Sequence, residues 1–296
     1  MDNKEKLFKI LSEIKKLEEK IKKLDLSSAD LGGANLSDID LTGANLEGAN
    51  LSGAVLINAI LSKANLSRVD LSEADLSGAD LNNTFLVEAY LFRTNLTKSN
   101  LYWANFKGAK LKLADLSYAS LELAQLEDVN LTSANLTGAR LSVANLTNVN
   151  LTSATLIEAD LSSANLTNAN LTNANLNGAK LEYANLTGAN LVGANLTNVN
   201  LSSAKLIEAD LRSVKLIKVK LFMANLSYAD LAEADFSGAN LSNAYLWGAN
   251  LTNTNLNGAY LWGATLTKAD LSGANLSGAN LSGANLTNAN LNGAKF

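Results

Sequence analysis

Residues 271–290 read LSGANLSGANLSGANLTNAN, a five-residue motif repeated four times without a break. The same register extends from 26 to 296, where every position whose number ends in 1 or 6 is Leu except Phe106, Phe236 and Phe296. From 29 to 294, the position two before each of these residues holds a small side chain, mostly Ala, except for Ile39, and the position between is mostly Asn or Asp. We name these positions the Leu slot, the small slot and the Asn/Asp slot. The two residues after each Leu occupy the first and second turn slots.

A period of five matches neither a strand nor a helix, so no continuous regular element satisfies the pattern. Eighteen of the 19 glycines lie in the second turn slot, and only Gly32 departs from it. Asn often takes the same slot, and both residues tolerate a positive φ. The pattern therefore predicts one short extended side and one turn per repeat, with the Leu and small slots facing inward and the other three facing solvent. Four such sides would close a square coil of 20 residues.

The repeated Ala-Asn-Leu-x-x motif resembles the pentapeptide repeat family over residues 25–296. The resemblance implies an all-β solenoid, a right-handed quadrilateral β-helix with four pentapeptides per coil. The repeats would then form about 14 coils that stabilise one another through stacking. We expect two parts: an N-terminal amphipathic helix over 1–25 and the pentapeptide-repeat β-helix over 26–296.

The N-terminal segment carries an apolar stripe with heptad spacing, which predicts a helix from about Lys4 to Leu24. We expect the helix interface to contain Leu7, Ile10, Leu11, Ile14, Leu17, Ile21 and Leu24. One interpretation is a cap over the first coil, as capping helices occur in the family. The other is a coiled-coil-like oligomerisation helix, which a length of about 31 Å favours over a cap on a narrower coil.

The composition restricts the catalytic and metal-binding chemistry that the chain can carry. The chain has no Cys and no His, so the usual zinc and copper ligands and the commonest general base are absent. Carboxylates such as Asp75, Asp80, Glu158 and Asp160 are interpreted as solvated surface groups on a convex rod. We expect no enzyme activity, no cofactor and no metal. The N-terminal segment lacks the apolar core of a signal peptide and is unable to span a bilayer, so we expect a cytoplasmic protein without membrane association.

Some inhibitors of DNA gyrase in the family are thought to imitate the charge pattern of duplex DNA. Such mimicry needs an aligned acidic face, and residues 20 apart should stack into columns. The column of Asp30, Asn50 and Asp70 continues with Tyr90 and Lys110, so no continuous acidic face emerges. The net charge of −4 is mild, and we expect no direct nucleic-acid binding. A basic group is interpreted as a scattered solubilising set: Lys205, Arg212, Lys215, Lys218 and Lys220.

Outward-facing aromatic residues form the remaining anomaly, and Trp103, Leu123 and Val143 share one column. They are interpreted either as a patch for a protein partner or as cross-strand ladders that need no partner. The candidate partner patch contains Phe85, Tyr90, Phe92, Tyr102, Trp103, Tyr118, Tyr245, Trp247, Tyr260 and Trp262.

The sequence thus predicts a bacterial, non-enzymatic, rod-shaped structural or protein-interaction scaffold that forms a homo-oligomer through its N-terminal helix. The alternative is a DNA-mimic inhibitor or regulator of DNA gyrase or another nucleic-acid enzyme. The last coil should expose unpaired backbone groups unless Phe296 plugs the axis.

Overall fold

The structure is a computed structural model that describes residues 3–22 and 25–296. One helix, α1 (Asn3–Lys22), precedes a continuous solenoid. The structure has α1 where the sequence predicts a helix from about Lys4 to Leu24, and the last two residues of that prediction lie outside the described residues. From residue 25 onward the chain repeats one local conformation per pentapeptide without an insertion.

The solenoid is held together by parallel β-bridges that each join two residues 20 apart. They run from Asp25↔Asn45 to Asn275↔Lys295 and always involve the Asn/Asp slot. Four repeats therefore make one coil, and the columns read from the sequence are the columns of the structure. In the described residues the predicted short extended sides are isolated single-residue bridges rather than strands. The reason is that each side ends in a turn, which leaves too few residues for a longer ladder.

The repeat 46–50 shows how every backbone amide is satisfied. The amides of Leu46 and Gly48 donate to carbonyls one coil ahead, at 2.8 and 2.9 Å, and that of Asn50 donates one coil back, at 2.9 Å. The amide of Ala49 closes the turn onto Leu46 at 3.0 Å. The remaining amide, that of Glu47, donates to the side chain of the preceding Asn/Asp slot at 3.3 Å. The Asn/Asp side chain thus accepts the one bond that the coil backbone does not provide.

The second turn slot is left-handed in every repeat from Ser28 to Gly293, with φ between 54° and 70°. This confirms the turn predicted from Gly and Asn. The same conformation is imposed on residues that seldom adopt it, including Trp103, Leu113 and the β-branched Val143 at φ 60°. The stacked coils therefore override local preference at these positions.

The core consists of the Leu and small slots, which are at most 2% exposed between Leu41 and Leu276. Four small slots hold a hydroxyl side chain instead of an apolar one. Each hydroxyl donates to a core carbonyl at 2.7–2.9 Å, so no buried polar atom is left unsatisfied there. These residues are Thr84, Thr94, Ser99 and Thr254.

Both ends of the solenoid retain accessible core residues. Leu26, Leu31 and Leu36 are only partly buried in the first coil, as are Leu281, Leu286 and Leu291 in the last. Phe296 is 70% exposed. The suggestion that Phe296 plugs the axis is therefore wrong, because its ring lies in solvent rather than over the final leucines.

Candidate interaction surfaces

The apolar stripe of α1 is open to solvent. Leu7, Ile10, Leu11 and Leu17 are each more than half exposed. The side chains of Ile14 and Ile21, and the whole of Leu24, lie outside the described residues. The described part of the predicted helix interface is thus a set of large aliphatic side chains on one helix with nothing packed over them.

The first aromatic cluster does not form one patch, because its members are spread over all four sides of the coil. Phe85 and Trp103 lie on the two walls of an open groove of about 670 Å³, whose floor is Thr84. Tyr90 and Phe92 lie on the next two sides; the Lys110 ammonium is 4.3 Å from the Tyr90 ring and the Arg93 guanidinium is 5.1 Å from the Phe92 ring. Of the remaining members, Tyr102 lies beside Trp103, and Tyr118 lies on the fourth side.

In the second aromatic cluster, Tyr245, Tyr260 and Trp262 lie around one corner of the coil, and Trp247 lies at the next corner. Trp247 packs edge-to-face against Tyr228, with 4.6 Å between ring centroids, and Lys268 lies 5.2 Å from its ring. This is the one ring–ring contact within residues 3–22 and 25–296. Tyr245, Tyr260 and Trp262 are about half exposed. Aromatic ladders within the solenoid therefore account for Trp247 but not for the other rings.

A larger surface emerges when the columns are followed along the whole solenoid. We define the apolar corner as four columns of the solenoid. They contain the positions whose numbers are multiples of 20 and the positions 2, 3 or 5 residues after each multiple. Most of the exposed large apolar side chains of the described solenoid lie there. They are Ile60, Phe85, Tyr102, Trp103, Val143, Tyr183, Phe222, Met223, Tyr245, Tyr260 and Trp262.

Only parts of this surface were predicted from the sequence. The shared column of Trp103, Leu123 and Val143 was among them, whereas the remaining aromatic residues were grouped by closeness along the chain. Tyr183, Phe222 and Met223 were missed because each stands far from the clusters in sequence. Extending the 20-residue column reading beyond Val143 would have found them.

Charged groups on the solenoid serve local structure. The Arg212 guanidinium donates to Asp210 at 2.6–2.8 Å and lies 3.6 Å from Asp230. The hydrogen bond from Arg212 lowers the pKa of Asp210 below its usual value. The pKa of Asp270 is lowered chiefly by the hydroxyl of Ser272, and that of Asp25 chiefly by the amide of Ser27. These carboxylates are held ionised as turn and ion-pair partners.

The structure also keeps the charged columns mixed. Asp70 bridges to Tyr90 and Tyr90 to Lys110, so the acidic column is interrupted where the sequence predicted. The basic group is likewise dispersed, since Lys205, Lys215 and Lys220 lie in three different columns and Arg212 is paired with acids. Within the described parts of the chain, no group of three acidic residues is arranged to hold a metal ion. Among the described residues, no helix is both long and apolar enough to cross a bilayer.

A family model described as pentapeptide repeats matches most of the chain, in stretches that begin at residue 23 and end at residue 293. The matched stretches are 23–56, 34–72, 49–86, 74–112, 109–142, 144–182, 179–216, 220–258 and 254–293. No protein of curated function matches the chain.

Several solved structures are similar to this chain. HetL, a pentapeptide repeat protein involved in heterocyst differentiation regulation in the cyanobacterium Nostoc sp., is 34% identical, with 90% of each chain covered and a TM-score of 0.33. A pentapeptide repeat protein of the Arabidopsis thaliana thylakoid lumen is 30% identical over 30% of this chain and 61% of its own, with a TM-score of 0.29. Full-length QnrB1, a plasmid-mediated fluoroquinolone resistance protein, is 14% identical over 88% and 93% of the two chains, with a TM-score of 0.30.

Proposed function

The chain belongs to the pentapeptide repeat family, and from that premise we propose that it is a non-enzymatic, rod-shaped interaction scaffold that self-associates through α1. The observation that carries the proposal is the exposed stripe of α1. We further propose that its solenoid is a right-handed quadrilateral β-helix of about 14 coils. Its bacterial origin and cytoplasmic location stay predictions.

Self-association through α1 is supported by the cost of leaving its stripe in water. Leu7, Ile10, Leu11 and Leu17 follow the spacing of a helix seam, and each is exposed by 51–58%. Burying a side chain of this kind contributes about 1.5–3 kcal/mol. Most of the stability of a helix in a protein comes from packing of its apolar face, which α1 lacks in the described chain. A bundle of several α1 helices would bury the stripe and stabilise the helix at once, with the rods projecting from it.

The scaffold role is supported by how the solenoid uses its polar groups. Carboxylates with a shifted pKa are shifted downward, toward the ionised form, by bonds to turn residues or to Arg212. A general acid needs the opposite shift. The groove walled by Phe85 and Trp103 is open along the rod. Such a surface suits contact with another macromolecule rather than enclosure of a substrate.

Light scattering on full-length variants tests the proposal. Changing Ile10 and Leu17 to Lys places two charges in the stripe and should lower the mass of the assembly, while the circular dichroism of the solenoid is kept. The matched control changes Lys9 and Lys16, which lie off the stripe, to Ala and should leave the mass unchanged. An assembly whose mass is insensitive to both pairs of substitutions would contradict association through α1.

The DNA-mimic alternative is less well supported by the surface. A mimic of duplex DNA needs regularly spaced acids along one face, whereas Tyr90 and Lys110 interrupt the most acidic column. Purified protein should therefore fail to inhibit gyrase supercoiling at low micromolar concentration. Inhibition in that range would favour the regulator over the scaffold.

A further inference from the structure

The apolar corner is unusual for the surface of this solenoid. Outside it, the exposed large apolar side chains of residues 25–296 are few and scattered: Tyr90, Leu113, Tyr118, Tyr228 and Phe296. Inside it they recur from Ile60 to Tyr260 along one edge of the rod. These apolar side chains are separated by polar and charged residues such as Arg140 and Asp160, and their concentration along one edge marks a candidate interaction site.

These side chains are distributed almost symmetrically about one segment, 160–165. Val143 and Tyr183 lie one coil to either side of Ser163 in the same column, and Trp103 and Met223 lie three coils to either side. The same spacing about the segment 160–165 holds in the other columns of the corner. Tyr102 and Phe222 are three coils from Ser162, Phe85 and Tyr245 are four coils from Asn165, and Ile60 and Tyr260 are five coils from Asp160.

This distribution fits a second copy of the same chain. A two-fold axis perpendicular to the rod reverses its direction and returns each column to itself. Two rods related in this way place all of these apolar residues except Trp262 opposite an apolar counterpart, so that Trp103 meets Met223 and Val143 meets Tyr183 of the second copy. Such a contact is isologous, because the same patch serves both partners. We propose that the apolar corner is the interface of an antiparallel homodimer whose two-fold axis passes through the segment 160–165.

The groove beside the corner gives the contact its shape. Lys63, Asn83, Trp103 and Leu123 line one wall, and Phe85, Asn105 and Gln125 line the other. Antiparallel pairing brings the aliphatic Met223 of one copy to the Trp103 wall of the other. It also brings Trp262 opposite Ser62 and beside Lys63, so a ring meets a small residue and an ammonium group. These pairs match large side chains with small or flexible ones.

The charges at the centre are compatible with the pairing. Asp160 meets its own copy at the axis, but Arg140 and Lys180 bridge to it from the coils on either side. Each carboxylate therefore lies between two bases of its own chain and two of the second copy. Arg140 is further paired with Glu122. Acids and bases alternate along the shared column, and the opposed like charges are balanced by their neighbours.

The proposed contact extends along much of the solenoid. Ten coils separate Ile60 from Tyr260, which corresponds to about 48 Å at ~4.8 Å per coil. The antiparallel arrangement places the two α1 helices at opposite ends of the pair. The corner dimer is therefore independent of association through α1.

Removal of the apolar side chains tests the interface in the full chain. Since the second turn slot accepts Asn in many repeats, Trp103, Val143, Tyr183 and Met223 can be changed to Asn without disturbing the coil. The test uses the Ile10→Lys/Leu17→Lys background, so that α1 does not contribute to association. This background should have twice the monomer mass of 31.2 kDa by light scattering, and the fourfold Asn variant should be monomeric. The matched control changes Leu113 and Tyr118, exposed residues of the same slot at other corners, to Asn and should stay dimeric.

A monomeric background at all concentrations would overturn the corner dimer and leave association through α1 standing. Restoring Ile10 and Leu17 in the fourfold Asn variant tests α1 separately. An increase in mass supports association through α1, and an unchanged mass contradicts that association but not the corner dimer. The failure of one proposal is thus distinguishable from the failure of the other.

Cross-linking tests the direction of pairing, because the chain has no native Cys. Leu123 and Ser203 lie two coils to either side of Ser163. In an antiparallel dimer, Leu123→Cys should cross-link to Ser203→Cys when the two variants are mixed with a short bismaleimide, and neither should cross-link efficiently alone. A parallel pair would give the reverse result, with each variant cross-linking to itself, and would overturn the proposal.

Discussion

The side-chain amide of Asn50 donates to the carboxylate of Asp30, 2.8 Å away in the preceding coil. Its oxygen at the same time accepts the amide of Ser52 at 3.0 Å. One side chain thus closes its own turn and joins two coils. The same pair of bonds recurs where an Asn stacks on an Asp, as at Asn95 and Asp75. This double role explains why the repeat prefers Asn and Asp over other polar residues at this slot.

The first prediction concerns this acceptor. Asn150 accepts both the amide and the hydroxyl of Thr152, at 3.0 and 2.7 Å. Replacing Asn150 by Ala leaves the amide without its partner and should cost about 1 kcal/mol, measured as a lower urea midpoint. Thr155 stands in the same slot between Asn135 and Asn175. Thr155→Asn supplies the missing acceptor and should raise the midpoint. A lower midpoint for both variants would show that the slot does not act through the turn amide.

The second prediction separates the core from the turn. Leu171 is fully buried, whereas Asn173 is in the second turn slot at φ 57°. Leu171→Asp places an unpaired charge among apolar side chains and should cost several kcal/mol. Asn173→Gly keeps the turn conformation and should be nearly neutral. Urea unfolding followed by circular dichroism compares the two variants, and equal destabilisation would contradict the inward assignment of the Leu slot.

The fold was largely predictable because each slot has a single physical task. The Leu and Ala slots pack inward, Gly and Asn mark the left-handed turn at positions such as Asn173, and the period of 20 follows from four turns per coil. The surface was harder to read. Phe85 and Tyr90 are five residues apart but lie on adjacent sides, while Trp103 and Met223 share a column across 120 residues. Closeness in sequence therefore misgroups surface residues in a solenoid.

Two further features escaped sequence reasoning for physical reasons. Extended sides were expected, but the turn in every repeat reduces pairing to one residue per side. Phe296 was a candidate plug because it ends the Leu series, yet its side chain is 70% exposed. The aliphatic positions of α1 were recognised from their spacing, whereas nothing in that spacing identifies what covers them.

The third prediction concerns strain in the second turn slot. Val143 is β-branched and is held at φ 60°, a conformation that disfavours such a side chain. Val143→Gly should stabilise the protein by about 1 kcal/mol, since the left-handed penalty disappears. The opposite substitution is expected to be harmful at Gly138, where an added Cβ would lie 2.6 Å from the Tyr118 ring. Thermal unfolding should therefore shift upward for Val143→Gly and downward for Gly138→Ala. A decrease for Val143→Gly would show that the side chain contributes more through contacts than it costs through strain.

The fourth prediction follows from the carboxylates with a lowered pKa. Asp210 is ionised more readily in the folded protein, because Arg212 donates hydrogen bonds to it. A group whose pKa is lower in the folded state stabilises that state above its unfolded pKa, which is about 3.9 for Asp. The contribution is lost as the pH falls below that value and through the folded pKa. The urea midpoint should therefore be constant from pH 7 to about 5 and should decrease below about pH 4. Asp210→Asn lacks the titrating group and should lose less stability over the acid range than the parent chain. An equal loss in both proteins would assign the acid sensitivity to the other carboxylates, with Asp25 and Asp270 the next to be replaced.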